Sequence, residues 1–411
     1  MATTGSWNNG GTGSPTLRTN IWGTQSYTLS ANEIFGSLFN LLISARTFTD
    51  NVKGGYNTLA DRFKIDGSLY GDFKTFKGTD VLKTQAFTDP YAYNNNGNFQ
   101  GNLLKTAKPA DPKEQYVQID QVRFIELSLD MFLTKRAFYD EGSFSEFHGG
   151  MLSWMQDTKR VYESGLINTF VGTTVSQANK AVISVDLTTA KGSASTEEEA
   201  RRLEAQEIAV DIADLLVDVK DYSRDYTDWK LLRAVNPDDL LFVWNSKYLN
   251  KITKMDLPTI YHKDGLIDKM NEELLPPRFF GRAIDTSTDK GSGKVIKSDD
   301  TYDNTKGTIR ALVEKEVTVS AVAYHVFPGD EIPAGATVKA SGDFELAEVY
   351  LQTDDIICKI VHKSSVPFMS AYESEESFYN QRSKVTNFYL HFMYSKPCYL
   401  YNYPFLTVKA V

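Results

Sequence analysis

The stretch Gly291-Ser292-Gly293-Lys294-Val295 is where this chain comes nearest to nucleotide chemistry. A phosphate-binding loop needs a glycine five positions before the one preceding the lysine, so that backbone N–H groups can cradle phosphate. It also needs a Ser or Thr hydroxyl after the lysine. Thr288 and Val295 occupy those places, so the stretch reads as a solvated loop. His148, His262, His325, His362 and His391 are scattered, and none stands at ligand spacing from another. His362 and His391 could join Cys358 and Cys398 in a Cys/His metal site only by long-range approach, because no Cys-x-x-Cys pairing anchors one. Amphipathic filler in strands is the plainer expectation for His325, His362 and His391. The pairs Asp354-Asp355 and Asp238-Asp239 would point to opposite faces of a strand, so they read as turn residues and not as an acid–base couple. Neither a Gly-x-Ser-x-Gly elbow nor a His-Glu-x-x-His zinc helix is present. The expectation is a protein that is not an enzyme, with no cofactor and no metal.

The densest aromatic run lies at the end: Phe388, Tyr389, Phe392, Tyr394, Tyr399, Tyr401, Tyr403 and Phe405. A stacking platform for single strands needs cations interleaved with the rings, and Lys384, Lys396 and Lys409 are few. Net charge is -9, the wrong sign for a direct nucleic-acid binder. Pro397 splits the run. Before it, Phe388, Leu390 and Phe392 alternate with Tyr389, His391 and Met393 as a strand does; after it, residues 398–408 alternate again, with Pro404 suited to an edge or bulge.

The elements that must carry these residues follow from composition and pattern. The 411 residues are 41% apolar and 24% charged, ordinary globular values with room for a sizeable core. No stretch approaches the roughly 20 apolar residues of a membrane span, and the N-terminus lacks the basic and apolar regions of a signal peptide. Two distant cysteines predict buried thiols, not a disulfide framework. Residues 1–30 are rich in Gly, Ser, Thr and Asn and read as an extended arm, in which Trp7 and Trp22 suggest docking. Ser30 and Glu33 make a capping box for a helix over 31–47. Residues 51–122 alternate short apolar and polar residues, with turns at Asp66-Gly67, Lys77-Gly78 and Asn94 to Gly97. They read as a long hairpin excursion whose apolar content is too thin for a core of its own, so another chain would support it. Residues 125–140 read as a short helix and 143–170 as a long one. A strand follows at 180–187, and a third helix runs on from Glu197, whose first-turn acids favour the dipole. Residues 238–252 read as an apolar strand entering a short helix, 284–308 as a solvated loop, and the stretch from 314 as strand, turn, strand, with Pro328-Gly329 and Ala334-Gly335 as turn chemistry. Residues 354–369 give another strand.

This order resembles a major capsid protein with the Hong Kong 97-like fold, of the sort found in short-tailed, podovirus-type phages. The tail segment "DDIICKIVHKSSVPFMSAYESEESFYNQRSKVTNFYLHFMYSKPCYLYNYPF" and "NPDDLLFVWNSKYL" (236–249) carry the likeness. The resemblance implies an α+β fold: an N-terminal arm with one helix (1–50), an E-loop hairpin (51–122), a P-domain with the spine helix (123–190), an A-domain with inserted loops (191–345), P-domain return strands (346–395) and a closing A-domain strand (396–411). The strand pair near 316–340 would be an insertion. The resemblance further implies self-assembly into hexamers and pentamers of an icosahedral shell around double-stranded DNA held without sequence-specific binding, with portal, scaffolding or minor capsid proteins as partners and no membrane. Assembly would take place in the bacterial cytoplasm, and the product would be a virion capsid. Trp7, Trp22, Phe73, Phe76, Tyr91, Tyr93 and Phe99 are the expected assembly contacts. Some relatives crosslink an E-loop lysine to a neighbour's asparagine; Lys74, Lys77 and Lys83 stand at candidate positions, though a solvated hairpin face is the plainer expectation. Nothing in the sequence reads as a long helical scaffolding domain, so a separate scaffold or none is expected. The same pattern leaves open an encapsulin-like compartment, or a tail or baseplate protein binding glycans.

Overall fold

The computed structural model describes residues 16–17, 27–28, 58–67, 70–84, 109–130, 141–192, 194–253 and 271–411. The expected helix over 31–47, and Trp7, Trp22, Tyr91, Tyr93 and Phe99, lie outside the described residues. Strands are β1 (Thr16–Leu17), β2 (Tyr27–Thr28), β3 (Lys64–Asp66), β4 (Phe73–Gly78), β5 (Lys113–Asp130), β6 (Val182–Val185), β7 (Leu240–Asn245), β8 (Asn271–Leu275), β9 (Gly281–Ala283), β10 (Ile309–Ala311), β11 (Lys315–Val319), β12 (Val322–Val326), β13 (Val349–Gln352), β14 (Ile356–His362), β15 (Phe368–Asn380), β16 (Val385–Ser395) and β17 (Phe405–Ala410). Helices are α1 (Thr58–Phe63), α2 (Glu141–Thr173), α3 (Leu187–Gly192), α4 (Glu197–Lys220), α5 (Ser246–Thr253) and α6 (Thr286–Asp289).

Contacts divide the chain into two units. The first holds residues 1–57, 122–161 and 372–392. In it, Lys159 of α2 is buried, bonds Glu373 and lies over the Phe392 ring, while Gln156 donates to Glu375 at 3.1 Å. Its aromatic side chains cluster too, with Phe124 5.8 Å from His391 and 6.3 Å from Tyr389 between ring centres.

The second unit holds residues 58–121, 162–371 and 393–411. Its main sheet has the order β6-β17-β14-β7-β8. Strand β14 runs antiparallel to both β17 and β7, whereas β6 and β8 join the edges in parallel. Alternation sends Leu240, Phe242, Trp244, Cys358, Ile360, Leu406 and Val408 to one face, where Ile208, Ile212, Leu215 and Val219 of α4 cover them. The start of α4 is fixed by Thr196, whose hydroxyl accepts the Glu199 N–H at 3.2 Å. Leu241, Val243, Lys359, Val361, Phe405 and Thr407 take the opposite face and are buried as well. Both faces are therefore covered, and β7 reads as an unbroken apolar run for that reason.

The second sheet has the order β3-β15-β16-β5-β4. Val117 and Ile119 of β5 pack with Met369, Ala371 and Leu400 in a smaller core. A third core lies within residues 281–352, in which β10-β13-β9 forms a sheet and β11-β12 a hairpin.

Five expectations need correction. Residues 125–130 continue β5 and are not helical, because odd-numbered residues from Val117 keep alternating with exposed even ones. The 284–308 loop is not merely solvated: Val295, Ile296 and Tyr302 are buried in the third core, and the Tyr302 hydroxyl donates to the Gly307 carbonyl at 2.9 Å. Its apolar residues are too few and too spaced to show periodicity. The tail after Pro397 is irregular, with a turn at Tyr401 and Asn402, until Phe405, and only Phe405–Ala410 is a strand. The hairpin near 314 turns at Ser320 and Ala321, both with positive φ, ahead of the Pro328-Gly329 and Ala334-Gly335 turns. Helix α1 also falls inside the stretch read as hairpin.

Candidate functional site

The surface able to do work here is the stem of the excursion, β4 with the first half of β5. Its ladder is antiparallel, with Thr75 opposite Tyr116 and Phe73 opposite Gln118. The two-residue period splits the stem into faces. Inward, Phe76 packs against the core of Val117 and Ile119. Outward, Phe73 is 66% exposed and Tyr116 71% exposed. Of the described contact candidates, Phe76 therefore faces its own chain and Phe73 faces solvent. Lys74 lies on the inward face, and Lys77 outward, 3.7 Å from Glu114.

The stem does not wait for a neighbour to hold it, as the thin apolar content had suggested. Gly78 is pressed against its own chain: a Cβ there would sit 2.6 Å from the Trp229 ring, which is why this position has no side chain. Lys113 Nζ donates to the Trp229 carbonyl at 2.6 Å, and Gln115 bridges the Tyr399 carbonyl and the Tyr401 N–H. Asp80 closes the latch. Its carboxylate meets Arg224 at 2.5 Å and accepts N–H bonds from Leu232 and Val81, while Arg233 donates to the Thr79 carbonyl. The Arg224 guanidinium, helped by the Leu232 and Val81 amides, lowers the Asp80 carboxyl to about 2. Nothing in the spacing of Asp80 and Arg224 announces this pair; it exists only once the strands are folded.

The aromatic tail serves the same junction. Tyr399 donates to Asp228 at 2.6 Å, Ser176 donates to the other oxygen of that carboxylate at 2.6 Å, and the Tyr399 ring packs on Tyr401 and Phe405. Burial, with Asp228 beside it, raises the Tyr399 phenol well above its ordinary value. Among the described residues the histidines and cysteines form no metal-holding group. Cys358 is buried in the main sheet, where burial pushes its thiol up, and His362 stacks on Tyr403 at 4.3 Å. Among the described residues no group of side chains is placed to hold a metal, and no helix is long and apolar enough to cross a membrane.

Sequence reasoning missed Lys359. It is fully buried, donating to the Thr174 carbonyl at 2.7 Å and to the Thr407 hydroxyl at 2.8 Å. Desolvation, with Lys409 nearby, lowers its ammonium to about 7. A lysine flanked by Cys358 and Ile360 in an apolar strand was the available signal.

A long helix, a hairpin excursion latched at its base and a closing strand in a mixed sheet define the class: a capsid protein of the Hong Kong 97-like fold. The capsid structure of Staphylococcus phage Andhra aligns with a TM-score of 0.51 at 10% identity, over 85% of this chain and 83% of that one. A structure of the head fibre and inner core protein of native bacteriophage P68 gives the same values. The family model of Phi29-like phage major capsid proteins matches residues 21–402, and the chain belongs to that family. Comparison with curated proteins gives no match. The chain is thus a shell protein of a tailed-phage capsid, and its place is the virion.

Proposed function

We propose that copies of this chain form hexamers and pentamers, closing an icosahedral shell around double-stranded DNA. The two-faced stem supports this reading above all. Its inward face is satisfied by its own chain, and its outward face offers Phe73 and Tyr116 to something else. The excursion beyond it, with Tyr91, Tyr93 and Phe99, would lie on the neighbouring subunit, and the N-terminal arm with Trp7 and Trp22 would strap another. Many such contacts, individually weak, are multiplied by closed symmetry. The net charge of -9 suits a lining that does not grip DNA, so that DNA can be packed and later leave. In this reading the chain performs no catalysis, assembles in the bacterial cytoplasm and is completed by portal, scaffolding or minor capsid proteins. The domain roles follow: the second sheet and α2 form the P-domain, the main sheet the A-domain, and residues 281–352 an insertion.

The test replaces residues 85–108 by a short Gly-Ser turn, leaving the latched stem intact. The variant should melt as the wild type does yet yield no closed shells by electron microscopy. Shells of normal size and yield from it would end the proposed role of the excursion.

A further inference from the structure

The hairpin β11–β12 closes at Ser320 and Ala321, whose φ values of 52 and 65 make a mirror-image two-residue turn. A turn of this kind hydrogen-bonds the residues on either side of it, here Val319 and Val322, which face each other in the ladder. Bonded and open pairs then alternate along the strands. Val317 with Tyr324, and Lys315 with Val326, turn their backbone groups inward. Ala323 and His325 turn theirs outward from β12, and Glu316 and Thr318 theirs outward from β11. Among the described residues no further strand pairs with either edge.

The two edges differ. Strand β11 carries Lys315 and Glu316, and charge blunts an open edge. Strand β12, Val322-Ala323-Tyr324-His325-Val326, has no Asp, Glu, Lys, Arg or Pro. Its His325 turns back along its own chain, with Nε2 2.8 Å from Glu314 Oε1 and its ring 4.7 Å from that of Phe327. Val322, Tyr324 and Val326 share one face with Val317 and Val319. That face is buried in the third core at Val317 and Val326 and runs out uncovered at the edge, where Val322 is 52% and Tyr324 41% exposed. An open, uncharged, proline-free edge with β-branched and aromatic side chains is a template for one more strand.

The strand that fits is its own copy. Two antiparallel β12 strands use the outward groups of both when Ala323 of one meets His325 of the other. Tyr324 then faces Tyr324 and Val322 faces Val326, so the whole strand is paired and no like charges meet. The Tyr324 pair is an open one, where side chains approach most closely, and an aromatic pair suits that place.

We propose that β12 joins β12 of a second copy about a two-fold axis, merging the two hairpins into one sheet. The contact is isologous, so it closes on itself and links two copies only. It rests on the reading that the chain assembles with its own copies, and it supplies a joint distinct from the excursion.

Single cysteines in the full-length chain test the register. In this pairing the two Tyr324 positions stand opposite, about 4.5 Å apart between Cα atoms, within reach of a disulfide. The two Ala323 positions are diagonal neighbours about 7–8 Å apart, beyond that reach. Under mild oxidation Tyr324→Cys should give about tenfold more disulfide dimer than Ala323→Cys, with the wild type, which keeps Cys358 and Cys398, as background. Y324K and Y324E oppose like charges across the axis, and each should self-associate about tenfold more weakly in sedimentation while melting as the wild type does. An equal mixture of the two sets Lys against Glu and should recover wild-type association. The cysteine comparison stands on its own should a charged variant not fold. Equal dimer from Tyr324→Cys and Ala323→Cys, or none from either, would overturn the contact, as would a mixture that recovers nothing; wild-type shells formed alongside such results would leave the capsid reading intact. Disulfide dimers specific to Tyr324→Cys, in a chain that never closes shells, would instead count against the capsid reading alone.

Discussion

The two five-stranded sheets use the same kind of strand for opposite ends. In the main sheet every residue of β7 is buried, and six of the seven in β14 are. In the second sheet β4 alternates exposed with partly buried residues until Gly78, and β5 alternates exposed with buried or partly buried residues from Gln115 through Ser128. The difference is one covering layer. A sheet covered on both faces can spend its surface only on folding. A sheet covered on one face keeps a second surface, at no cost to its own core, and here that surface bears Phe73 and Tyr116. Exposed aromatic side chains on a flat ladder are an aggregation hazard for a lone monomer, and they become an asset for a subunit whose neighbours arrive in fixed register.

The largest expected effect tests that division directly. Ile360→Ala in the main sheet and Ile119→Ala on the inward face of the second should each cost about 2–5 kcal/mol, since both side chains are essentially inaccessible. Phe73→Ser on the outward face should stay within about 0.5 kcal/mol. Chemical denaturation of the unassembled chain reads all three. A Phe73→Ser variant that unfolds as readily as Ile119→Ala would mean that the outward face belongs to the core after all.

Next in size is the charge inside the double-covered sheet. Lys359 titrates near 7 in the folded chain against 10.5 for an ordinary lysine. Between those values the unfolded chain holds the proton and the folded chain does not, so stability rises as pH climbs from 7 to 10.5, and the full penalty stands below 7. Lys359→Met removes the titration but orphans the Thr174 carbonyl and the Thr407 hydroxyl, which costs on the order of 1–3 kcal/mol. The expected result is a wild-type melting temperature that gains on the variant's steadily between pH 7 and 10. Parallel curves over that range would show that the ammonium is solvated.

Much of this was legible beforehand, and the reasons differ by region. Helix α4 announced itself because one covered face imposes a period on many residues, whereas β7 and β14 did so as near-continuous apolar runs covered on both faces. Before Pro397 the aromatic tail reads as a strand because Leu390, Phe392 and Tyr394 share a buried face. After it, the alternation of Tyr399, Tyr401 and Tyr403 falls on irregular chain with a turn at Tyr401 and Asn402, and period alone cannot tell such a segment from a ladder. The support of the stem was misjudged for a related reason. Counting apolar residues within 51–122 misses partners supplied from residues 223–233 and 399–401, where single atoms of Trp229, Arg224 and Tyr399 do the anchoring. The third core escaped because Val295, Ile296 and Tyr302 sit among glycines and charged residues, and only their turns bring them together.

The smallest effect is the most local. Asp80 is held as a carboxylate to about pH 2 by Arg224 and the amides of Leu232 and Val81. In the unfolded chain it protonates near 3.8. A lowered folded value means that the latch contributes fully above 3.8 and is lost as pH falls through 2. Asp80 lies at the surface, where ion pairs are weak, so global stability should barely register the change. The junction itself should. The N–H groups of Leu232 and Val81 ought to exchange with solvent faster as pH falls from 4 to 2, after correction for the intrinsic rate. Asp80→Asn keeps an oxygen for the amides but loses the charge facing Arg224, so it should show faster Leu232 exchange already at pH 7 and no further change in acid. Equal protection in both proteins across that range would mean that Gly78 against Trp229, and Lys113 on the Trp229 carbonyl, hold the stem without the ion pair. The inward face would then be fixed by packing alone, as the main sheet is, and the two sheets would differ only in what their second face meets.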